Sequence, residues 1–285
     1  MQTQTGTFLG RPRLTHTQVW QPCLVRAITP RWDDQDRAAV DQLLGAYQKT
    51  LKASPRGLAT LDACGISREA IDAFGLGFAV RGLGVDLPRG ETHDGARLRG
   101  RLHRIGLYRS TGHAHLNGAL VAPIRDARGR IVDLYGRKVA PKLRAGSAYH
   151  LSLFDPPQGV FNLAGLAKGA EVMICDDLLD ALAFWSAGMK NVTSTVGSRG
   201  FTDGHLRAFE ALEVTQAVIA FSMNPEQDRH ARLIAQALDA QGVTCRRMCL
   251  PRDVLGGPSA GALQELVGHA PAFRQSAEHL LKEAA

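Results

Sequence analysis

The segment EVMICDDLLDALAFWSAGMKNVTSTV, residues 171–196, changes its apolar period twice. Residues 171–175 form a short, mostly apolar run of strand length. Residues 177–188 place Leu178, Leu182 and Trp185 at helical spacing. Residues 191–196 return to strand texture and run into the turn GSRG. The same alternation continues downstream. A helix is expected over 203–212, a buried strand at QAVIAF (216–221), and a helix over 226–240 with Leu233, Ile234, Ala237 and Leu238 on one face. A further strand is expected over 243–250. Strands alternating with helices imply βαβ units and a parallel sheet. Sites in such sheets lie outside the carboxyl ends of the strands, so Asp176, Asp177 and Ser222–Asn224 are expected on one rim.

Toward the N-terminus the texture differs. From 98 to 139 the chain reads as strand-like. ALVAPI and RIVDLYGR flank RDARG, whose turn chemistry predicts a hairpin. Residues 81–96, rich in Gly, Pro and charge, read as a loop. Residues 36–52 carry Val40, Leu43, Leu44, Tyr47 and Leu51 at helical spacing, and a short helix is expected over 68–74 with Ser67 as N-cap. Residues 1–34 and 141–160 read as irregular.

The chain has 285 residues, is 45% hydrophobic and carries a net charge of +7. That is ample material for a core and argues against wholesale disorder. Between Arg97 and Arg144 there are twelve basic residues against two acidic ones, a net of +10, which leaves −3 for the rest. A basic block on a near-neutral body points to a polyanion partner. No apolar run approaches the ~18–20 residues of a membrane span. The first residues lack the apolar stretch of a secretory signal. The five cysteines form no C-x-x-C pair, so a structural zinc is not expected, and their odd number fits a reducing cytoplasm.

Three stretches are similar to the catalytic core of bacterial DnaG-type primases. GLATLDACGISREAIDAFGLGFA (57–79) resembles the family's "RGI, helix, FGLGYA" passage. PIRDARGRIVDLYGRKVAPK (123–142) resembles its "PIRD, RGR, FGGR, PKY" series. Residues 171–251 resemble a TOPRIM domain. The resemblance spans roughly residues 36–255. It implies an α/β protein in which a TOPRIM parallel sheet, flanked by helices, follows an α+β subdomain. The expected division is an N-terminal extension (1–35), a basic primase-core subdomain (36–165), a TOPRIM subdomain (166–255) and a C-terminal helical segment (256–285). By the same comparison the family's zinc ribbon and helicase-binding domain are not expected in this chain.

The departures bear on the chemistry. The family's glutamate falls on Asp176, its next glycine on Asp177, and its following aspartate on Asp180. The family's Asp-x-Asp falls on Ser222-Met223-Asn224, so both carboxylates are replaced. Mg²⁺ wants hard oxygen ligands, and two-metal phosphoryl transfer needs enough carboxylate to hold two ions close together. The resemblance therefore implies Asp176 and Asp180 as catalytic residues. It also implies a weak Mg²⁺ or Mn²⁺ site on Asp176, Asp177 and Asp180, with Asp253 a loosely aligned fourth ligand. Glu226 and Asp228, on the next helix, could compensate. Arg125, Arg128, Arg130, Arg137, Lys138, Lys142 and Arg144 are the expected nucleic-acid contacts, although Arg125 could instead pair with Asp126 or Asp133. The implied partners are single-stranded DNA or a DNA/RNA hybrid, nucleoside triphosphates, and a separate replication or mobile-element protein. The expected function is a primase-like nucleic-acid-binding protein with weakened or lost primer synthesis. The alternatives are an active primase and, third, a TOPRIM nuclease.

Overall fold

The computed structural model describes residues 32–80, 87–139, 143, 147–197, 200–250 and 267–273. Helix α1 (Asp34–Lys52) starts at a capping box. The Asp33 carboxylate accepts from the Asp36 N–H at 2.7 Å and the Asp36 carboxylate accepts from Asp33 N–H at 3.1 Å. Its stripe of Val40, Leu43, Leu44, Tyr47 and Leu51 is buried. Helix α2 (Pro55–Ala63) begins with Pro at its first position behind the Ser54 cap, and α3 (Arg68–Ala73) begins behind Ser67 as expected. Strand β1 (Gly77–Phe78) then lies so close to α1 that a Cβ on Gly77 would sit 2.6 Å from the Cβ of Tyr47.

Helix α4 (His93–Arg104) corrects two expectations, the loop over 81–96 and the strand texture from residue 98. Thr92 caps it, and Leu98 and Leu102, four apart, form its buried face. Two glycines and a run of arginines hide that pair in the sequence. Asp36, with no exposed surface, receives Arg101 at 3.2 Å and also pairs with Arg104, which ties α4 to α1.

The hairpin forms as predicted from β2 (Ala119–Arg125) and β3 (Ile131–Lys138), and β4 (His150–Ser152) adds to its far edge. The sheet runs β1-β2-β3-β4, antiparallel throughout. In the turn, the Asp126 carboxylate accepts from the backbone N–H groups of Arg128 and Arg130 at 2.9 and 3.0 Å. Arg125 pairs with neither Asp126 nor Asp133; its guanidinium donates to the Gly129 carbonyl. Asp133 is buried and accepts from the N–H groups of Leu134, Leu153 and Gln158 at 2.7–3.0 Å.

The second sheet follows β5 (Val172–Cys175), α5 (Leu178–Ser186), β6 (Val192–Ser194), α6 (Asp203–Ala211), β7 (Gln216–Ser222), α7 (Pro225–Asp239) and β8 (Thr244–Leu250). Its order is β6-β5-β7-β8, all parallel, as the alternation predicts. The chain leaves β5 toward β6 and returns past it to β7. This places a topological switch point between the carboxyl ends of β5 and β7. One buried cluster joins the two sheets. Phe74 stacks on Phe161 at 4.8 Å and meets Trp185 edge-on at 5.2 Å, while Tyr135 of β3 packs in the same cluster as Cys175 of β5. No helix among the described residues is long and apolar enough to cross a membrane.

Candidate functional site at the carboxyl rim of the parallel sheet

A cavity of about 690 Å³ opens at the switch point. Asp176 leaves β5 directly into it. Asp177 caps α5, accepting from the Leu179 N–H at 3.0 Å, and Asp180 follows on the first turn. The three acids thus line one cavity because a strand end, a cap and a first helical turn are consecutive. From the other sheet, Arg137 reaches across. Its Nε donates to Asp177 Oδ2 at 2.7 Å, and its guanidinium lies 4.9 Å from the ring centre of Tyr149. Both Asp177 oxygens are therefore engaged.

Asp176 is only 6% exposed, and its Oδ1 has no hydrogen-bond partner among the described residues. Burial, then the charge of Asp177, raises its carboxyl to about 6. Burial, then Asp177 and Asp176, pushes Asp180 well above the usual carboxylate range. Asp176 and Asp180, buried beside each other, resist ionising together.

The β7 side of the rim is neutral. Ser222 lines the cavity, Met223 is 58% exposed, and the Asn224 side chain accepts from the Gln227 N–H at 2.9 Å as the cap of α7. Asn224 is thus already engaged at the helix start. Glu226 lines the cavity, whereas Asp228 turns away to Arg247 at 2.7 Å. Arg247 is 4% exposed and also donates to the carbonyls of Ile219, Phe221 and Met248. The Arg247 guanidinium thus covers the carbonyl end of β7.

Among the described residues, no group of three or more His, Cys, Asp or Glu side chains could hold a metal. With Asp177 engaged on both oxygens and Asn224 serving as a cap, these donors do not fit a two-ion site.

The basic side is largely employed within the fold. Arg130 pairs with Asp126 at 2.7 Å, Arg99 donates to the Pro88 carbonyl, Arg101 and Arg104 hold Asp36, and Lys138 donates to the Asn117 carbonyl. Arg128 is exposed. Lys142, Arg144 and Asp253 lie outside the described residues. Sequence reasoning did not single out Tyr149 or Gln227, both of which line the cavity, and saw no ligand spacing at His150. His150 bonds to the Tyr135 hydroxyl, a partner 15 residues away on β3, so its spacing carries no signal.

Residues 173–254 match the Toprim-like family model. A DNA primase of Borreliella burgdorferi is 31% identical over 159 residues, which is 50% of this chain and 28% of that protein. The chain thus matches little more than a quarter of that relative's length. A DNA primase domain from Pseudomonas aeruginosa superposes with a TM-score of 0.65 at 20% identity, covering 88% of this chain and 84% of that one. The fold is that of a DnaG primase catalytic core. A DnaG catalytic domain bound to single-stranded DNA superposes with a TM-score of 0.59 at 17% identity, over 84% of this chain and 81% of that domain. The rim described above is therefore the carboxyl rim of a Toprim-like domain within a primase-like fold. Toprim primases as a class depend on metal, and this rim departs from that pattern in its donors.

Proposed function

We propose that this chain is a primase-like nucleic-acid-binding protein, acting in replication or on a mobile element, whose primer synthesis is weakened or lost. The observation that carries the reading is the rim itself. A primase-like fold presents Asp176 and Asp180 with Ser222 and Asn224 opposite, and Asn224 is committed to capping α7. Phosphoryl transfer depends on charge neutralisation at the reacting phosphate, which two neutral side chains cannot organise through bound ions. Any Mg²⁺ or Mn²⁺ would rest weakly on Asp176 and Asp180. The single-stranded DNA in the related catalytic domain supports single-stranded DNA, or a DNA/RNA hybrid, as the partner. Exposed Arg128, with Lys142 and Arg144, would meet its phosphates.

A second reading, an active nucleotidyltransferase using nucleoside triphosphates, is favoured by one observation: Glu226 brings a carboxylate to the cavity from α7. Primer synthesis on single-stranded DNA, with Mg²⁺ and with Mn²⁺, separates the two. Retained DNA binding without primers supports the first reading. Robust primers abolished by Asp176→Ala and by Glu226→Ala establish the second.

A further inference from the structure

We propose that Tyr149 is a stacking platform for one unpaired base of single-stranded DNA, an inference that deepens the nucleic-acid-binding reading above and rests on it. Among the described residues, the exposed large hydrophobic side chains are Tyr149, 46% exposed, and Met223. Both stand at the rim: Tyr149 lines the cavity, and Met223 follows Ser222, which lines it. A ring left half in water keeps an apolar face that a flat partner can cover. The ring is also held in place. The Tyr149 carbonyl accepts from the Lys138 N–H at 2.8 Å, which continues the β3–β4 ladder beyond Arg137 and His150. The Arg137 guanidinium lies 4.9 Å from the ring centre and is itself fixed on Asp177 at 2.7 Å. A side chain ordered before binding loses little freedom when a ligand covers it.

Tyr149 lines a second cavity as well, of about 520 Å³, between β4 and the chain that follows β6 at Val196 and Gly197. Ala148, Tyr149 and His150 line both cavities, so the two adjoin along this segment. Arg137 lines the first cavity and not the second, so a base entering from the second side does not compete with the guanidinium. The described lining of the second cavity holds one acid, Asp155, beside His115 and His150, and Arg109 donates to His115 at 2.9 Å. These walls repel a phosphate backbone less than the acids lining the first cavity do. Aromatic side chains stack bases of any identity. The bases of a duplex already stack on one another, so the platform selects single strands.

The test is fluorescence-anisotropy titration of the full chain with labelled oligonucleotides of about 12 nucleotides, within the range of single-strand site sizes. Three ligands are compared: a thymidine single strand, the same backbone without bases, and a duplex. Tyr149→Ala should weaken the thymidine strand about tenfold, and Tyr149→Phe, which keeps the ring, should bind it as the wild-type chain does. Tyr149→Leu, which keeps apolar bulk without a flat face, should also weaken it and serves if Tyr149→Ala fails to fold. The abasic backbone and the duplex should bind every variant as they bind the wild-type chain. The salt slope for the thymidine strand should not change, because an uncharged side chain releases no counterions. Thymidine-strand binding unchanged in the Ala and Leu variants, or a loss of equal size on the abasic backbone, overturns the platform and leaves the nucleic-acid-binding reading standing. A wild-type chain that binds none of the three ligands overturns that reading and the platform with it.

Discussion

The two sheets handle charge in opposite ways. The antiparallel half carries the basic block, yet most of its described cations are tied to nearby carbonyls and carboxylates: Arg99, Arg101, Arg104, Arg125, Arg130, Arg137 and Lys138. The parallel half has the smaller charge, yet it gathers Asp176, Asp177 and Asp180 along one cavity. Net charge therefore measures what a chain contains and not what it offers to a partner. The +10 of the block overstates the open positive surface, and three acids at the rim overstate its negative charge, because Asp177 is paired with Arg137 and the carboxyls of Asp176 and Asp180 are raised.

The contrast can be broken most directly at Arg247, the cation that the parallel half keeps for itself. Arg247→Leu should cost about 4 kcal/mol in denaturant unfolding, because it strands Asp228 and several carbonyls. A cost below about 1 kcal/mol would mean that the guanidinium is not what holds the end of β7.

The halves should also titrate in opposite senses. His205, buried against Phe201 in the parallel half, is lowered to about 4, chiefly by burial. Its folded form stays neutral while the unfolded chain takes up a proton near 6.5. Its contribution is therefore complete above 6.5 and falls as pH drops toward 4, by about 3 kcal/mol. Asp133 in the antiparallel half is raised to about 7 by burial, against the pull of three N–H donors. Its folded form keeps a proton that the unfolded chain loses near 3.8, so its contribution falls as pH rises from 3.8 to 7. Unfolding free energy measured across pH 4–8 for His205→Gln should lose the acid-side decline. For Asp133→Asn it should lose the opposite slope. Identical profiles for both variants would erase this distinction between the halves.

Restoring acid to the neutral side of the rim comes next. Ser222→Asp with Asn224→Asp should create Mn²⁺ binding, read as about 2–3 kcal/mol of stabilisation at metal concentrations a hundredfold above Kd. No Mn²⁺ effect would count against aligning these positions with a lost carboxylate pair. The smallest effect is expected from the open cation. Arg128→Ala should lower the salt slope of single-stranded DNA binding by about 0.7, and Arg137→Ala, whose side chain is already held by Asp177, should change it little.

The parallel half was legible because its periods are clean. Strands β5, β6 and β7 are buried on both faces over nearly their whole length, the helices carry apolar faces, and the predicted elements stand within a few residues of the observed ones. Helix α4 was not, because Leu98 and Leu102 are its only buried apolar side chains among glycines and arginines. The acids at the strand end were found from position alone. What they do with their oxygens was not. The Arg137–Asp177 contact joins residues 40 apart in different sheets, and the Asn224 cap depends on where α7 begins. Tyr149 lies in a stretch without periodicity, so only the fold brings it to the cavity.

Asp133 gives this arrangement its mechanics. Two of its three bonds go to Leu153 and Gln158, on the chain that leaves β4 for the parallel sheet. That chain begins at the Tyr149–His150 wall of the cavity. One carboxylate on the hairpin is thus a mooring point. The cavity wall and the crossing between sheets hang from it, and a displacement of either sheet is carried to the other through a buried fixture and not lost in a slack connection.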